Sequence, residues 1–178
     1  MFTPVEAQCA VRSAVVEDAP AISSVHAASA EDAYAPLAGS FPVMDPDEHL
    51  EMWVDSLREH EGRPLILVAT IGGTVVGFVT GGPARRTEPA AEVEVQVLHV
   101  HPAYRGRSIG TELWAAACLA LRGPALASLY VNTLSELRCC SFYERHGGRA
   151  VAREPADFHG AMRTRVTYLW PSGAPSVR

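Results

Sequence analysis

Not one lysine occurs among the 178 residues, so all 15 basic side chains are arginines. That absence removes the phosphate loop GxxxxGK[ST], whose lysine reaches the terminal phosphates. The dinucleotide fingerprint GxGxxG is also missing, and with it the acid about 20 residues farther on that would read a ribose. No apolar run approaches the ~18 residues that a membrane helix needs, which argues against a membrane partner. The start of the chain shows no basic stretch followed by a long apolar one, so no secretory signal is expected. Cysteine is scarce. Cys9, Cys118, Cys139 and Cys140 have no metal-ligand spacing, and the adjacent pair would make a poor disulfide on a helix. They read as reduced thiols of a cytoplasmic protein. No internal repeat is present.

Charge is unevenly spread. Residues 1–100 hold 5 arginines against 15 Asp and Glu, whereas residues 101–178 hold 10 arginines against 5 acids. A basic C-terminal half suits an anionic ligand, and an acidic N-terminal half suits a cationic one. The net charge of −5, without a basic stripe, argues against nucleic acid as a partner. The length suits one domain with a substantial core, 1–178, whose end from 171 to 178 (PSGAPSVR) reads as a disordered tail.

The most informative stretch is HPAYRGRSIG, from His101 to Gly110. It follows an apolar strand, Val93 to Val100, and leads into a helix-like segment, Thr111 to Leu121. The first amides of a helix lack internal partners and carry the positive end of its dipole, so an anion there is stabilised. Gly106 and Gly110 are expected to let the backbone curl with no side chain in the way. Strand, glycine turn and helix together predict a pyrophosphate cradle for a nucleotide-like ligand.

Arg105 to Gly110 (RGRSIG) resembles the acetyl-CoA loop of the GCN5-related N-acetyltransferases, [Q/R]-x-x-G-x-[G/A]. Ser108 stands where that family usually has glycine; a negative φ is expected there, with its hydroxyl available to a phosphate. The resemblance extends from Arg12 to about Trp170. Residues 9–22 are similar to the family's first strand and helix start. Leu65 to Ile71, Gly72-Gly73 and Thr74 to Thr80 read as a hairpin on a glycine turn. Ser128 to Val131 reads as a short strand, and FYERHGG from Phe142 to Gly148 is similar to the family's FYE(R/K)xGF, with Gly148 replacing the phenylalanine. The resemblance implies one α/β domain with a mixed, mostly antiparallel twisted sheet flanked by helices.

It also implies a site. Acetyl-CoA would lie on the loop residues Arg105, Gly106, Arg107, Ser108, Ile109, Gly110 and Thr111. The amide of Leu98 is the implied donor to the thioester carbonyl, and that of Val100 a contact to the pantetheine. Tyr143 corresponds to the tyrosine that can protonate the leaving thiolate; a phenol is neutral at pH 7 and donates without prior charging. Glu94 matches the family's frequent strand glutamate and is the candidate base. Gln96 is expected on the face of Glu94, since side chains alternate along a strand. Asn132, at the end of the short strand, is the nearest match to an asparagine that contacts the cofactor in relatives. Relatives wall the acceptor pocket with their first two helices and the link between them. Here that region offers His26, Tyr34, Phe41, Met44, Asp45, Asp47, Glu48 and Trp53, a mixture suited to a cationic, partly apolar amine. Residues 35–42 read as a loop or lid.

The activity implied is transfer of acetyl from acetyl-CoA to a primary amine, on a small molecule or a protein N-terminus, by direct attack in a ternary complex. Two alternatives stand beside it. One is a ping-pong route through Cys139 or Cys140 with His146 as base. The other is a non-catalytic acyl-CoA-binding sensor module. His99 and His101 have no ligand spacing, so no metal is expected. The apolar strand Thr164 to Trp170 can either complete the sheet or pair a homodimer.

Overall fold

Gly72 and Gly73 both hold positive φ, 58° and 83°, the geometry of a two-residue turn whose twist matches its flanking strands. They join β2 (Leu65–Ile71) to β3, which runs on past the predicted end to Pro83 (Thr74–Pro83). The remaining strands are β1 (Cys9–Ser13), β4 (Val93–Val100), β5 (Leu129–Leu134), β6 (Arg149–Phe158) and β7 (Ala161–Trp170). The helices are α1 (Ala19–Tyr34), α2 (Pro46–Arg58), α3 (Ile109–Arg122) and α4 (Cys139–Arg145). This computed structural model describes residues 8–37, 45–58, 65–87 and 90–175. Phe41 and Met44, most of the lid at 35–42, and the tail residues 176–178 lie outside them.

The strands form one seven-stranded sheet in the order β1-β2-β3-β4-β5-β7-β6. Every neighbouring pair is antiparallel except β4 and β5. The expected α/β class, a mixed and mostly antiparallel sheet flanked by helices, is what forms. Helices α1 and α2 cover one face through Ile22, Val25, Trp53 and Leu57 against Ile66, Val68 and Phe78. Helices α3 and α4 cover the other, where Ile109, Leu113, Trp114 and Tyr143 pack on Val95, Val131, Tyr168 and Trp170. Burial of these apolar side chains is the main stabilising term. Strand β7 lies between β5 and β6, so it completes the chain's own sheet and leaves β1 and β6 at the edges. No described helix is long and apolar enough to cross a membrane.

The described part of the predicted tail is held in place. The buried Arg122 guanidinium donates to Ala127 O at 2.6 Å and to Pro171 O at 2.9 Å. Gly173 N donates to Leu126 O at 2.9 Å, and Ser172 Oγ to Glu92 Oε2 at 3.2 Å. Composition suggested disorder for 171–175 because it cannot reveal that an arginine 49 positions away satisfies this backbone.

Two irregularities in the sheet build the site. First, β4 and β5 pair only at Val93↔Leu129 and Glu94↔Tyr130, and then diverge. Second, Thr80 pairs with Val97 and Gly81 with Val95, which leaves Gln96 as an unpaired bulge residue. Gly81 permits the close approach; a Cβ there would lie 2.6 Å from the Glu94 carbonyl oxygen. The bulge resets the alternation of β4, because one strand gains a residue that its partner lacks. Val95, Leu98 and Val100 therefore share the α3 face, while Val97 packs on the opposite side. Regular alternation therefore stops at Gln96.

Candidate active site

The divergence of β4 and β5 leaves a gap through the sheet, lined by backbone that has lost its partner strand. His101 N donates to Val76 O at 2.9 Å, so this amide faces β3. Amide direction alternates along an extended strand, which turns the amides of Leu98 and Val100 toward the gap. The Val100 carbonyl, facing the same way, is already satisfied by Ser29 Oγ at 3.0 Å and Arg105 Nε at 3.2 Å. The bulge and the missing partner together thus present the two amides that the sequence singled out.

The loop that follows closes one end of the gap. A short 3-10 turn, Pro102–Tyr104, leads into it, and Gly106 takes φ of 78°. Ser108 caps α3 in the left-handed region, at φ 61° and ψ 3°, with no side-chain cap bond. The expected negative φ at Ser108 is therefore corrected. The loop keeps the conformation that glycine adopts freely and imposes it on serine at a steric cost. Gly110, by contrast, is an ordinary helical residue. A Cβ there would sit 3.7–3.9 Å from Phe142, Val100 and Leu98, so its contribution is open space beside the gap rather than conformational freedom. The first recorded bond into α3 runs from Glu112 N to Ser108 O, so the amides of Ile109, Gly110 and Thr111 lack helical acceptors and carry the dipole's positive end. Arg105 pairs with Asp32 of α1, tying the loop to the opposite layer. Arg107 lies over the Tyr104 ring.

Tyr143 projects from α4 into the core beside Trp114, Tyr168 and Trp170. Burial holds its phenol protonated far above the usual range, and the Cys139 and Cys140 thiols and the Tyr34 phenol push the same way. Tyr34 closes α1 on the other side of the sheet, so these two phenols sense one another across it. Burial also raises the Cys139 thiol, which contacts Thr133 Oγ1 at 3.0 Å, while Cys140 Sγ donates to Leu134 O at 3.4 Å. His146 stacks on Phe142 and places Nδ1 2.8 Å from the Phe142 carbonyl. A thiol kept protonated by burial, as at Cys139, is a poor nucleophile.

Glu94 lies at the paired root of the gap, 2% exposed. Its carboxylate accepts from the Arg85 side chain and from the Tyr130 hydroxyl. Glu94 is thus a buried carboxylate with both partners supplied by the chain itself. Desolvation first, then the bond to Glu94, raises the Tyr130 phenol.

On the face opposite α3, a pocket of about 300 Å³ lies against β5. Tyr34, Asn132, Thr133 and Leu134 border it, with Phe158 and Arg165 across from them. Asn132 is inside β5, not at its end, because the strand runs on to Leu134; its Oδ1 accepts from Thr167 at 2.7 Å. The pocket gathers Tyr34 but not His26 or Trp53. Trp53 is buried in the α1–α2 core. His26 stacks with His49, Trp53, Phe78 and His99, so these two residues build the layer rather than the pocket wall. Sequence reading missed Phe158 and Arg165. The only local signal for them is the alternation of arginine with apolar residues along β7; the register that brings β6 and β7 over Asn132 is tertiary.

The model of the Acetyltransferase (GNAT) family matches residues 30–148, more than half of the chain. No curated protein matches the sequence. Among solved structures, the chain is similar to a GCN5-related N-acetyltransferase from Rhodopseudomonas palustris, at 23% identity over 96% of this chain and 99% of that one, TM-score 0.65. It is also similar to the paia N-acetyltransferase of Thermoplasma acidophilum in complex with coenzyme A, at 17% identity over 92% and 99%, TM-score 0.62. A third is yncA of Salmonella typhimurium, solved with its cofactor acetyl-CoA, at 21% identity over 94% and 97%, TM-score 0.66.

Proposed function

Because the chain belongs to the Acetyltransferase (GNAT) family, which uses acetyl-CoA as co-substrate, we propose that it acetylates a primary amine by direct attack in a ternary complex. The observation that carries this reading is the gap between β4 and β5, with free helix amides on one side and a pocket on the other. The residues suit the cofactor. The amides of Ile109, Gly110 and Thr111, with the left-handed turn at Gly106 and Ser108, would hold its pyrophosphate, and Arg105 and Arg107 add positive charge. When bound, acetyl-CoA supplies an acetyl group already activated as a thioester.

The chain's own groups would do the rest. Val100 N–H orients the pantetheine arm and Leu98 N–H donates to the carbonyl oxygen, where negative charge develops during attack. Tyr143, protonated across the working pH range, donates a proton to the departing sulfur. Glu94 receives the proton of the acceptor ammonium through Tyr130, whose hydroxyl already donates to it. Tyr34 and Asn132 belong on the acceptor side.

One observation favours the rival reading of a sensor that binds acyl-CoA without turnover: both partners of Glu94 are already in place, and none is an acceptor. A thiol-release assay over amine pools, run with calorimetric titration of acetyl-CoA, separates the two. Amine-dependent thiol release is expected, and tight binding without release would favour the sensor. Gly110→Trp fills the space beside Leu98, Val100 and Phe142 and is expected to abolish acetyl-CoA binding. Unchanged affinity in that variant would count against the placement of the cofactor.

A further inference from the structure

The acceptor pocket contains a cation that the transfer reaction does not use. Arg165, on β7, pairs in register with Leu134 of β5 and with Glu154 of β6, and its side chain lines the pocket. Its Nε is shut off from solvent and makes no hydrogen bond. Its ion pair with Glu154 is loose, at 3.6 Å, beyond hydrogen-bond reach. Glu154 is moreover engaged by Arg86 at 2.9 Å, so two guanidiniums share one acid. A shielded N–H of a charged group without an acceptor is costly and rare in folded chains. The rest of the guanidinium is open, the side chain being 32% exposed, and a planar cation at the pocket wall fits a carboxylate best.

The other walls complete the description. Tyr34 and Phe158 meet with ring centroids 5.0 Å apart, joining the end of α1 to the tip of the β6–β7 hairpin as an apolar, aromatic side. Ala156, Leu134 and Leu137 continue that surface. Asn132 and Thr133 lie on β5, the strand that forms one lip of the gap through which acetyl would be presented. Asp157 adds a carboxylate at the rim. A molecule filling the pocket would thus direct one end toward the gap and the other toward Arg165.

We infer that the acceptor is a small amine that also carries a carboxylate, a free amino acid or a close analogue with an apolar side chain, and that Arg165 binds the carboxylate. This rests on the acetyltransferase reading of the same site. A protein N-terminus lacks such a nearby carboxylate and would leave Arg165 with only its loose pair to Glu154 and solvent.

The test compares matched acceptors in the thiol-release assay with the full chain: L-phenylalanine and L-methionine, their carboxamides, and the decarboxylated amines. The acids are expected to exceed their carboxamides by about tenfold in kcat/KM, the worth of a charge-assisted bond to a half-buried guanidinium. Arg165→Gln should erase that preference by raising KM for the acids, while calorimetry shows acetyl-CoA affinity within twofold. The comparison in the unaltered protein stands even if the variant fails to fold. Equal rates for acids and carboxamides, turnover only of carboxylate-free amines, or acetyl-CoA binding without release from any amino acid would each overturn the inference and leave the cofactor site intact. Absence of acetyl-CoA binding would overturn both.

Discussion

Ser108 shows how much one residue's backbone can reveal. The loop requires a left-handed conformation there, φ 61°, and serine meets it without the compensation of a side-chain cap bond. Glycine adopts that region without a Cβ penalty. Ser108→Gly is therefore expected to stabilise the fold by about 0.5–1 kcal/mol, the αL penalty less glycine's extra entropy. Thermal denaturation of the two proteins checks it; a lower melting temperature for the variant would mean that the hydroxyl contributes a bond which outweighs the steric gain. Glu94 carries a second lesson at this scale. Its position on β4 was legible, but its partners were not, since Arg85 and Tyr130 reach it from different strands and loops.

At the scale of elements, the turn after α4 explains the one place where the FYERHGG stretch leaves the family pattern. Gly148 lies against the closing tryptophan of β7; a Cβ would fall 2.6 and 2.8 Å from the Trp170 ring and 3.0 Å from the Tyr143 carbonyl. Trp170 also donates to His146 O at 2.8 Å, so it cannot move aside without losing that bond. Gly148→Ala is expected to destabilise the protein by about 1–3 kcal/mol, the usual penalty for overpacking, as read by urea denaturation. A shift under about 0.5 kcal/mol would mean that the indole relaxes freely. Strand and helix bounds were largely readable from period and turn residues, as with β4 and the hairpin. The bulge at Gln96 was not, because it arises from the partner strand's glycine rather than from any pattern within β4.

For the molecule as a whole, acid should be a weakness. His26, His49 and His99 lie together between α1, α2 and the sheet. Trp53 Nε1 donates to His49 Nε2 at 3.2 Å, so that nitrogen is an acceptor and the His49 proton is directed to Ser23 Oγ, 3.0 Å away. His26 Nδ1 then donates to the same acceptor at 2.9 Å, and the network closes with neutral rings. Burial pushes His26 down to about 4, with His49 adding, and pushes His99 down to about 3, with His26 and Arg105 adding. Unfolded histidines take up protons near pH 6.5, whereas these folded ones do not. Their contribution is therefore full above pH 6.5 and is lost as pH falls toward 4 and 3. Asp18, held low first by Arg12, adds acid sensitivity only within and below the ordinary carboxylate range. Between pH 7 and 4.5 the loss is expected to be about 2 kcal/mol or a little more for each of His26 and His99, hence up to about 5 kcal/mol together, followed by denaturation midpoints. His99→Phe should flatten the curve; a midpoint constant over that interval would contradict neutral burial.

By itself the sequence determined the class of sheet, the glycine hairpin, the strand that precedes the phosphate loop and the family to which these belong. Those features are local: they depend on alternation, on positive φ at glycine and on a helix start within a few residues of a strand. The tertiary structure alone decided that β4 and β5 part after two paired residues, that Glu94 is already partnered, and that Arg165 lines one pocket with Asn132 and Tyr34. Each of these depends on register between segments far apart in the chain, where a shift of one residue turns a side chain to the opposite face.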